Sequence, residues 1–319
     1  MTIREAKSFG LNELENFSPS AALDTNCFLE NILECDKTFL LLHANDSLPA
    51  EKEVSFKNAV EKRKTGLPVA YITNHKEFFG YDFFVTPDVL IPKPDTEILV
   101  ENAAKKILHT LENDAASNQK KITRICDMCS GSGCIGLAVY LSVKNVLPKN
   151  VFLDITFADI SQKALDISKK NAEKLCSPKI ISENEFKTEN AVFHFVKTNL
   201  FEKINNTDRF DFILTNPPYI PSKLVDELLT DGRNEPRLAL DGDVNSDSTP
   251  DKNSSDGLSI IRRLIPQIKT NLSDGGFFFM ETGEYNAEET ASMCRKIKFQ
   301  NVIILNDLEG QQRVVIGQK

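Results

Sequence analysis

Asn216-Pro217-Pro218-Tyr219 is the stretch of this chain best suited to chemistry. It follows a short apolar run, Phe210-Asp211-Phe212-Ile213-Leu214-Thr215, whose aromatic and branched side chains read as a buried strand. Proline fixes its own φ, supplies no N–H and drives the residue before it out of the helical region, so Asn216 and Pro217 are expected to be extended. The result is a stiff ledge of acceptors at a strand end. The Asn216 amide oxygen and the Pro217 carbonyl can together accept both N–H bonds of one planar –NH2 group, with Tyr219 offering a flat face beside it. An ordinary turn after a strand is the plain alternative, and only the surroundings decide between the two.

A second motif supplies those surroundings. Asp127-Met128-Cys129-Ser130-Gly131-Ser132-Gly133-Cys134-Ile135-Gly136 ends another apolar run, and its glycines at 131, 133 and 136 fit Gly-x-Gly-x-x-Gly. That spacing permits a tight turn, close approach of a ligand to bare backbone, and tight packing of a helix on a strand. Such a turn holds pyrophosphate in dinucleotide enzymes and the amino acid end of S-adenosylmethionine in methyltransferases; the pattern alone does not choose. Asp159, at the end of Phe157-Ala158-Asp159-Ile160, is placed to receive ribose hydroxyls or to cap the next helix. Cys126 and Cys129 make a Cys-x-x-Cys, but no further ligands at comparable spacing complete a zinc set, so no metal is expected and small buried thiols are the reading. The four histidines share no spacing that would suggest a catalytic group.

The elements that must position these motifs follow from periodicity. From about Thr2 to His75 apolar residues recur at three and four spacings, as in Leu11, Leu14 and Phe17, which predicts a small helical domain over 1–75. The charges at Lys57, Glu61, Lys62, Arg63 and Lys64 are expected on a solvated helix face. Residues 76–97 read as an aromatic hairpin around Gly80 and a linker stiffened by Pro92 and Pro94, where Asp95 or Thr96 can cap the following helix. Beyond a polar break at 113–121, strands alternate with helices. Seven strands are expected, at 122–126, 151–158, 191–196, 210–215, 276–281, 302–305 and 313–316, the last two adding an antiparallel edge to a mostly parallel sheet. Helices are expected at 134–147, 162–176, 258–272 and 286–297. Residues 242–256, built of Asp, Asn, Ser, Thr and Pro, are expected to be a mobile surface loop. In an α/β sheet of this Rossmann-like kind, ligands bind beyond the carboxyl ends of the strands, so the glycine turn and the proline ledge share one crevice. An –NH2 acceptor beside a cofactor turn favours methyl transfer to nitrogen over hydride transfer, because nothing on the ledge resembles a proton shuttle for a carbonyl or alcohol.

The 319 residues carry a formal net charge of −8, which argues against broad binding to nucleic acid, and no apolar stretch is long enough to span a bilayer. Seven cysteines, an odd number scattered through core-like runs, suit free thiols, and the first residues resemble neither a secretory signal nor a presequence, so a cytoplasmic location is expected.

Over nearly its full length the chain resembles the peptide chain release factor glutamine methyltransferases, the PrmC/HemK family. The resemblance lies in Gly66-Leu67-Pro68-Val69-Ala70-Tyr71-Ile72, Leu90-Ile91-Pro92-Lys93-Pro94-Asp95-Thr96-Glu97, the glycine turn, Asn216-Pro217-Pro218-Tyr219-Ile220, Asn234-Glu235-Pro236-Arg237-Leu238-Ala239-Leu240 and Arg313-Val314-Val315. It implies a seven-stranded class I S-adenosylmethionine-dependent methyltransferase domain over 98–319 and an N-terminal domain that recognises the substrate. The implied methyl donor is S-adenosylmethionine and the implied acceptor the Gln of the Gly-Gly-Gln motif in release factors, with no membrane and no direct nucleic acid partner. Cofactor contacts carry over to Cys129, Ser130, Gly131, Ser132, Gly133, Asp159 and Asn216, and substrate contacts to Asn216, Pro217, Pro218 and Tyr219, of which Asn216, Pro217 and Tyr219 are the catalytic set. The chain departs from the family at Asn199-Leu200, where Asp and an apolar or aromatic residue are common; Asn199 can still hydrogen-bond adenine and Leu200 pack on it. It departs again at Cys129-Ser130, where Gly-Thr or Gly-Ser is familiar. The alternative readings are the sister ribosomal protein glutamine methyltransferase and, less favoured by the acidic balance, a nucleic-acid base N-methyltransferase.

Overall fold

The structure, a computed structural model, describes residues 1–114, 121–205, 209–230, 234–245, 247, 249–251 and 253–319. Most of the polar break, and residues 246, 248 and 252 of the expected loop, lie outside the described residues. The chain forms two compact units: Met1–His75 with Val85–Pro87 and Glu227–Asn234, and Lys76–Phe84 with Asp88–Asp226 and Glu235–Lys319.

In the first unit helices α1 (Ile3–Leu14), α2 (Ala21–Leu33), α3 (Lys37–Leu42), α4 (Ala50–Lys64) and α5 (Val69–Thr73) realise the helical periodicity. Thr2 opens α1 through a reciprocal capping box with Glu5, which satisfies two N–H groups that a helix start leaves unpaired. Ile3, Leu14, Phe28, Leu29, Leu40, Phe56 and Val60 form its core. One expectation fails here. Arg63 is not on a solvated face: its Nε donates to Asp24 Oδ2 at 2.7 Å, with Asp24 only 3% exposed. A carboxylate buried at that depth on α2 needs a charged partner, and the last turn of α4 supplies it.

The second unit opens with β1 (His75–Phe78) and β2 (Tyr81–Phe84), joined by Phe79 and Gly80, both at positive φ (53° and 76°). A two-residue turn of that kind matches the natural twist of a hairpin. A 3-10 turn at Pro94–Thr96 leads into α6 (Glu97–Asp114). Next come β3 (Lys121–Met128), α7 (Cys134–Val143), β4 (Val151–Asp159), α8 (Gln162–Cys176), β5 (Lys179–Ser182), β6 (Glu185–Lys187), β7 (Ala191–Lys197) and β8 (Phe210–Thr215). The chain ends with α9 (Ser222–Thr230), α10 (Ser259–Asn271), β9 (Leu272–Glu281), α11 (Ala287–Lys296), β10 (Gln300–Asn306) and β11 (Gln312–Gln318). Among the described residues the main sheet has nine strands, in the order β10-β11-β9-β8-β3-β4-β7-β6-β5. Seven are those expected, parallel from β9 to β7 and closed by antiparallel β11 and β10. The short hairpin β5–β6 extends the β7 edge.

Side chains alternate across each strand, so β3 feeds two cores: Ile125 joins α6, α7 and the aromatic hairpin on one face, while Cys126 and Met128 join α10 and α11 on the other. Phe78 and Phe83 are each at most 1% exposed and belong to the same core as Leu99, Leu137 and Phe157, so the hairpin is part of the α/β unit. Among the described residues no helix is long and apolar enough to cross a membrane.

Candidate active site

The strand order reverses direction between β3 and β8, and both motifs sit at the carboxyl ends of these two strands. A cleft opens there, about 1100 Å³ counting the solvent at its mouth, large enough for a nucleoside joined to an amino acid. Of the residues singled out from sequence, Cys129, Ser130, Gly131, Ser132, Asp159, Asn199, Leu200, Asn216 and Pro218 line it. Gly133, Pro217 and Tyr219 do not.

The glycine turn is shaped by approach distances. Gly131 (φ 53°) has open space where a Cβ would stand, as a residue facing a ligand should. Gly133 (φ 76°) lies instead under α8: a Cβ there would come within 2.4 Å of Ser168 Oγ, which explains why it is withdrawn from the cleft. A Cβ on Gly136 would reach within 2.6 Å of the Phe157 ring, so the third glycine lets α7 close on β4. Cys129 holds φ at +60°, a left-handed conformation that side chains rarely adopt. Burial and the nearby Asp159 push its thiol pKa up, against the Thr215 hydroxyl, which lowers it. Helix α7 starts without a cap from its N-cap residue Gly133, and its Gly136 N–H donates instead to Asp127 Oδ2 at 2.9 Å.

Asp159 ties the glycine turn to the start of α8 and lies at the cleft. Its Oδ2 accepts from Gly131 N at 2.9 Å and its Oδ1 from Ser161 N at 2.8 Å, fixing the turn to the start of α8 while its carboxylate still borders the cleft. Burial raises its pKa and those two N–H groups oppose the rise. Leu200, buried and at φ 50°, forms an apolar wall, joined by Ile160, Val244 and Ile260. Asn199 donates to Glu202 Oε1 at 2.8 Å. A carboxylate for a diol, apolar walls for a base and a bare glycine turn at Gly131 that lets a ligand approach the backbone fit S-adenosylmethionine. Ser130 Oγ, buried with no hydrogen-bond partner among the described residues, adds a group awaiting one.

At the ledge, Asn216 Nδ2 donates to Thr96 Oγ1 at 3.4 Å, and among the described residues Asn216 Oδ1 and the Pro217 carbonyl have no donor. Further along, the Tyr219 carbonyl accepts from Asn286 Nδ2 at 3.2 Å and Tyr285 Oη at 3.3 Å. Tyr219 itself departs from expectation. Its ring packs on the α10 and α11 side of the sheet, and its hydroxyl donates to Glu281 Oε1 at 3.1 Å instead of bordering the cleft. A phenol driven inward must find an acceptor, and Glu281, 2% exposed, is that acceptor. Burial and the Glu281 charge push the Tyr219 pKa well up, so it remains a donor.

Sequence reasoning missed the rim and the back of the site. Glu235, 8% exposed, accepts from Lys93 Nζ at 2.8 Å and Ile91 N at 3.3 Å, drawing the two proline-containing segments together. Gly242 and Gly257 press on the ledge: a Cβ on Gly257 would lie 2.1 Å from the Tyr219 carbonyl oxygen, and one on Gly242 would lie 2.9 Å from Tyr219 Cα. Between them, buried Asp243 accepts from Ser254 Oγ at 2.6 Å, Gly257 N at 2.8 Å and Ser222 N at 3.2 Å. The described part of 242–256 is therefore anchored at both ends beside Tyr219, and Val244 and Asn245 border the cleft. The bounding glycines were the one sequence signal available.

Comparison with known proteins agrees with this architecture. Residues 5–73 match the PrmC N-terminal domain family and residues 99–234 the methyltransferase small domain family. The chain is similar to release factor glutamine methyltransferases from Koribacter versatilis (31% identical, covering 100% of this chain and 99% of that protein), Borreliella burgdorferi (31%, 97% and 94%) and Clostridium acetobutylicum (32%, 92% and 90%). With its cofactor turn, its cleft and full-length kinship in agreement, this chain belongs to the release factor glutamine methyltransferase family and is an S-adenosylmethionine-dependent methyltransferase.

Proposed function

We propose that the chain methylates the side-chain amide nitrogen of the glutamine in the Gly-Gly-Gln motif of peptide chain release factors. The observation that supports this is a pair of acceptors with no donor among the described residues: Asn216 Oδ1, on a residue that lines the cofactor cleft, and the Pro217 carbonyl next to it in the chain. S-adenosylmethionine, when bound, supplies an electrophilic methyl group. An amide nitrogen is a poor nucleophile because its lone pair is delocalised, the same resonance that sets a barrier of about 18–20 kcal/mol to rotation of a peptide bond. As that nitrogen acquires the methyl group it becomes cationic, so its N–H bonds to Asn216 and Pro217 strengthen on the way to the transition state. Loss of one N–H proton to water then restores a neutral amide. Proline rigidity fixes the direction of both acceptors, and orientation of this kind offsets several kcal/mol of the barrier. Tyr219 acts as the anchor of the ledge through Glu281, and the N-terminal helical unit is assigned the grip on the protein substrate.

The test is incubation with methyl-labelled S-adenosylmethionine and separate acceptors: a release factor, the same factor with its Gly-Gly-Gln glutamine replaced, ribosomal protein and DNA. Label is expected in the first alone. Label in ribosomal protein or DNA, or undiminished label after replacement of the glutamine, would contradict the proposal.

A further inference from the structure

Two arginines follow one another on α10 and are partnered differently. Arg262 pairs with the Asp256 carboxylate, its Nη1 lying 3.0 Å from Oδ1. Arg263 borders the cofactor cleft instead. Its Nη2 donates to the Val244 carbonyl at 3.1 Å, its Nε is closed off from solvent without an acceptor, and among the described residues it forms no ion pair. A guanidinium is always charged, and enclosing part of it with no counter-ion costs free energy that a bound ligand can offset. Its place in the cleft narrows the choice of ligand group. Arg263 lies three residues after Ile260, on the same face of α10, and its hydrogen bond is to Val244. Ile260 and Val244 are two of the apolar walls, beside Ile160 and Leu200, and the flat base is the part of S-adenosylmethionine that such walls suit. At the sulfonium end a second cation would repel the cofactor.

We propose that Arg263 is a base-binding residue of the cleft, which takes the adenine ring of S-adenosylmethionine as the π partner of its guanidinium. The guanidinium is planar, delocalised and weakly hydrated, and it stacks on aromatic faces in a way that a compact, strongly hydrated ammonium does not. A purine offers such a face, and the attraction of a cation to a ring grows as water is excluded. The walls around Arg263 exclude it: Leu200 is 6% and Ile260 7% exposed. The bond from Nη2 to Val244 holds one edge of the guanidinium before any ligand arrives, so less side-chain freedom is lost on binding. Val244 is itself held in place, since Asp243 before it accepts from Gly257 N at 2.8 Å and Ser254 Oγ at 2.6 Å.

This inference rests on S-adenosylmethionine as the cofactor and is independent of the methyl acceptor proposed above, because its test reads binding alone. Arg263→Met and Arg263→Lys are compared with the unaltered chain by calorimetry for the Kd of S-adenosylhomocysteine and of 5′-methylthioadenosine. Both ligands carry the nucleoside, and only the first carries the amino acid end. Arg263→Met is expected to weaken both by about three- to thirtyfold, the range of a cation–π contact from an exposed to a desolvated site, and by factors that agree within about twofold. Arg263→Lys keeps a charge and a donor for the Val244 carbonyl but lacks the plane, and is expected to stay weakened at least about threefold for both ligands. Full recovery in Arg263→Lys would show that only charge or the tie to Val244 matters, and overturns the proposal. Weakening of S-adenosylhomocysteine alone would place Arg263 at the amino acid end and also overturns it, as do unchanged Kd values in Arg263→Met. If Arg263→Met fails to fold, Arg263→Lys decides by the same criteria.

Discussion

Lys93 Nζ lies 2.8 Å from Glu235 Oε1, a contact that joins residues 142 apart in the chain at the rim of the cofactor cleft. Pro92 and Lys93 from one segment and Pro236 from the other line that cleft directly. The pair therefore holds two stiff walls in register. Glu235 is nearly buried whereas Lys93 is 42% exposed, so solvent screening discounts the attraction to about 1 kcal/mol. Glu235→Ala, which also leaves Ile91 N without its acceptor, is expected to weaken cofactor binding by about three- to tenfold, readable by calorimetry. An unchanged Kd would show that the rim is held by other means.

Cys129 occupies a left-handed conformation that glycine adopts without steric cost. Relief of that strain is worth about 1–2 kcal/mol, and the added freedom of glycine in the unfolded chain takes back about half. Cys129→Gly is expected to raise stability by about 0.5–1 kcal/mol in urea denaturation. A loss of stability would mean that the packing of the thiol outweighs the strain.

Asp127 is fully buried, accepts from Gly136 N at 2.9 Å and has no partner for Oδ1 among the described residues. Burial pushes its pKa from 3.8 up to about 8, with the Gly136 N–H opposing the rise and Asp159 adding to it. Between those two values the folded chain holds a proton that the unfolded chain releases. The stabilisation is thus complete below pH 3.8 and is lost as pH rises towards about 8. Asp127→Asn, which keeps a neutral acceptor in place, is expected to flatten the decline of Tm between pH 5 and 8. Parallel curves for both proteins would place the ionisation elsewhere.

Gly257 cannot accept a side chain where it faces the Tyr219 carbonyl at 2.1 Å from an added Cβ, and its φ of 77° adds backbone strain. Gly257→Ala must therefore shift the ledge. Turnover is expected to fall by about a hundredfold, the scale of a misplacement near 1 Å, with cofactor affinity affected much less. Equal losses in both would indicate a general loosening of the cleft.

The sheet was legible in the sequence because its central strands are largely buried and read as apolar runs, as in Phe210–Thr215. The hairpin β5–β6 escaped for the opposite reason: every residue of Lys179–Ser182 is exposed, so no burial pattern marks it. Helix α7 stops at Val143, not Leu147, where Val146 is 62% exposed and Pro148 follows. The ledge was visible because proline dictates backbone shape locally, and Gly131 because a bare turn has a local signature. What lay beyond local spacing was long-range pairing: Arg63 with Asp24, Lys93 with Glu235, and Thr96, turned to Asn216 120 residues away where a helix cap was expected. The inward course of Tyr219 was equally hidden, since only the fold brings Glu281 within reach of it.

The central claim is that Asn216 Oδ1 lowers the barrier to methyl transfer and does not hold the cofactor. The most direct measurement is single-turnover methylation of a release factor by Asn216→Ala with both reactants saturating, beside calorimetric Kd values for S-adenosylmethionine. The account predicts a rate lower by about 10²–10³, the usual cost of removing one such hydrogen-bonding group, with cofactor Kd within about twofold. A rate close to that of the unaltered chain, or a loss in cofactor affinity as large as the loss in rate, would contradict it.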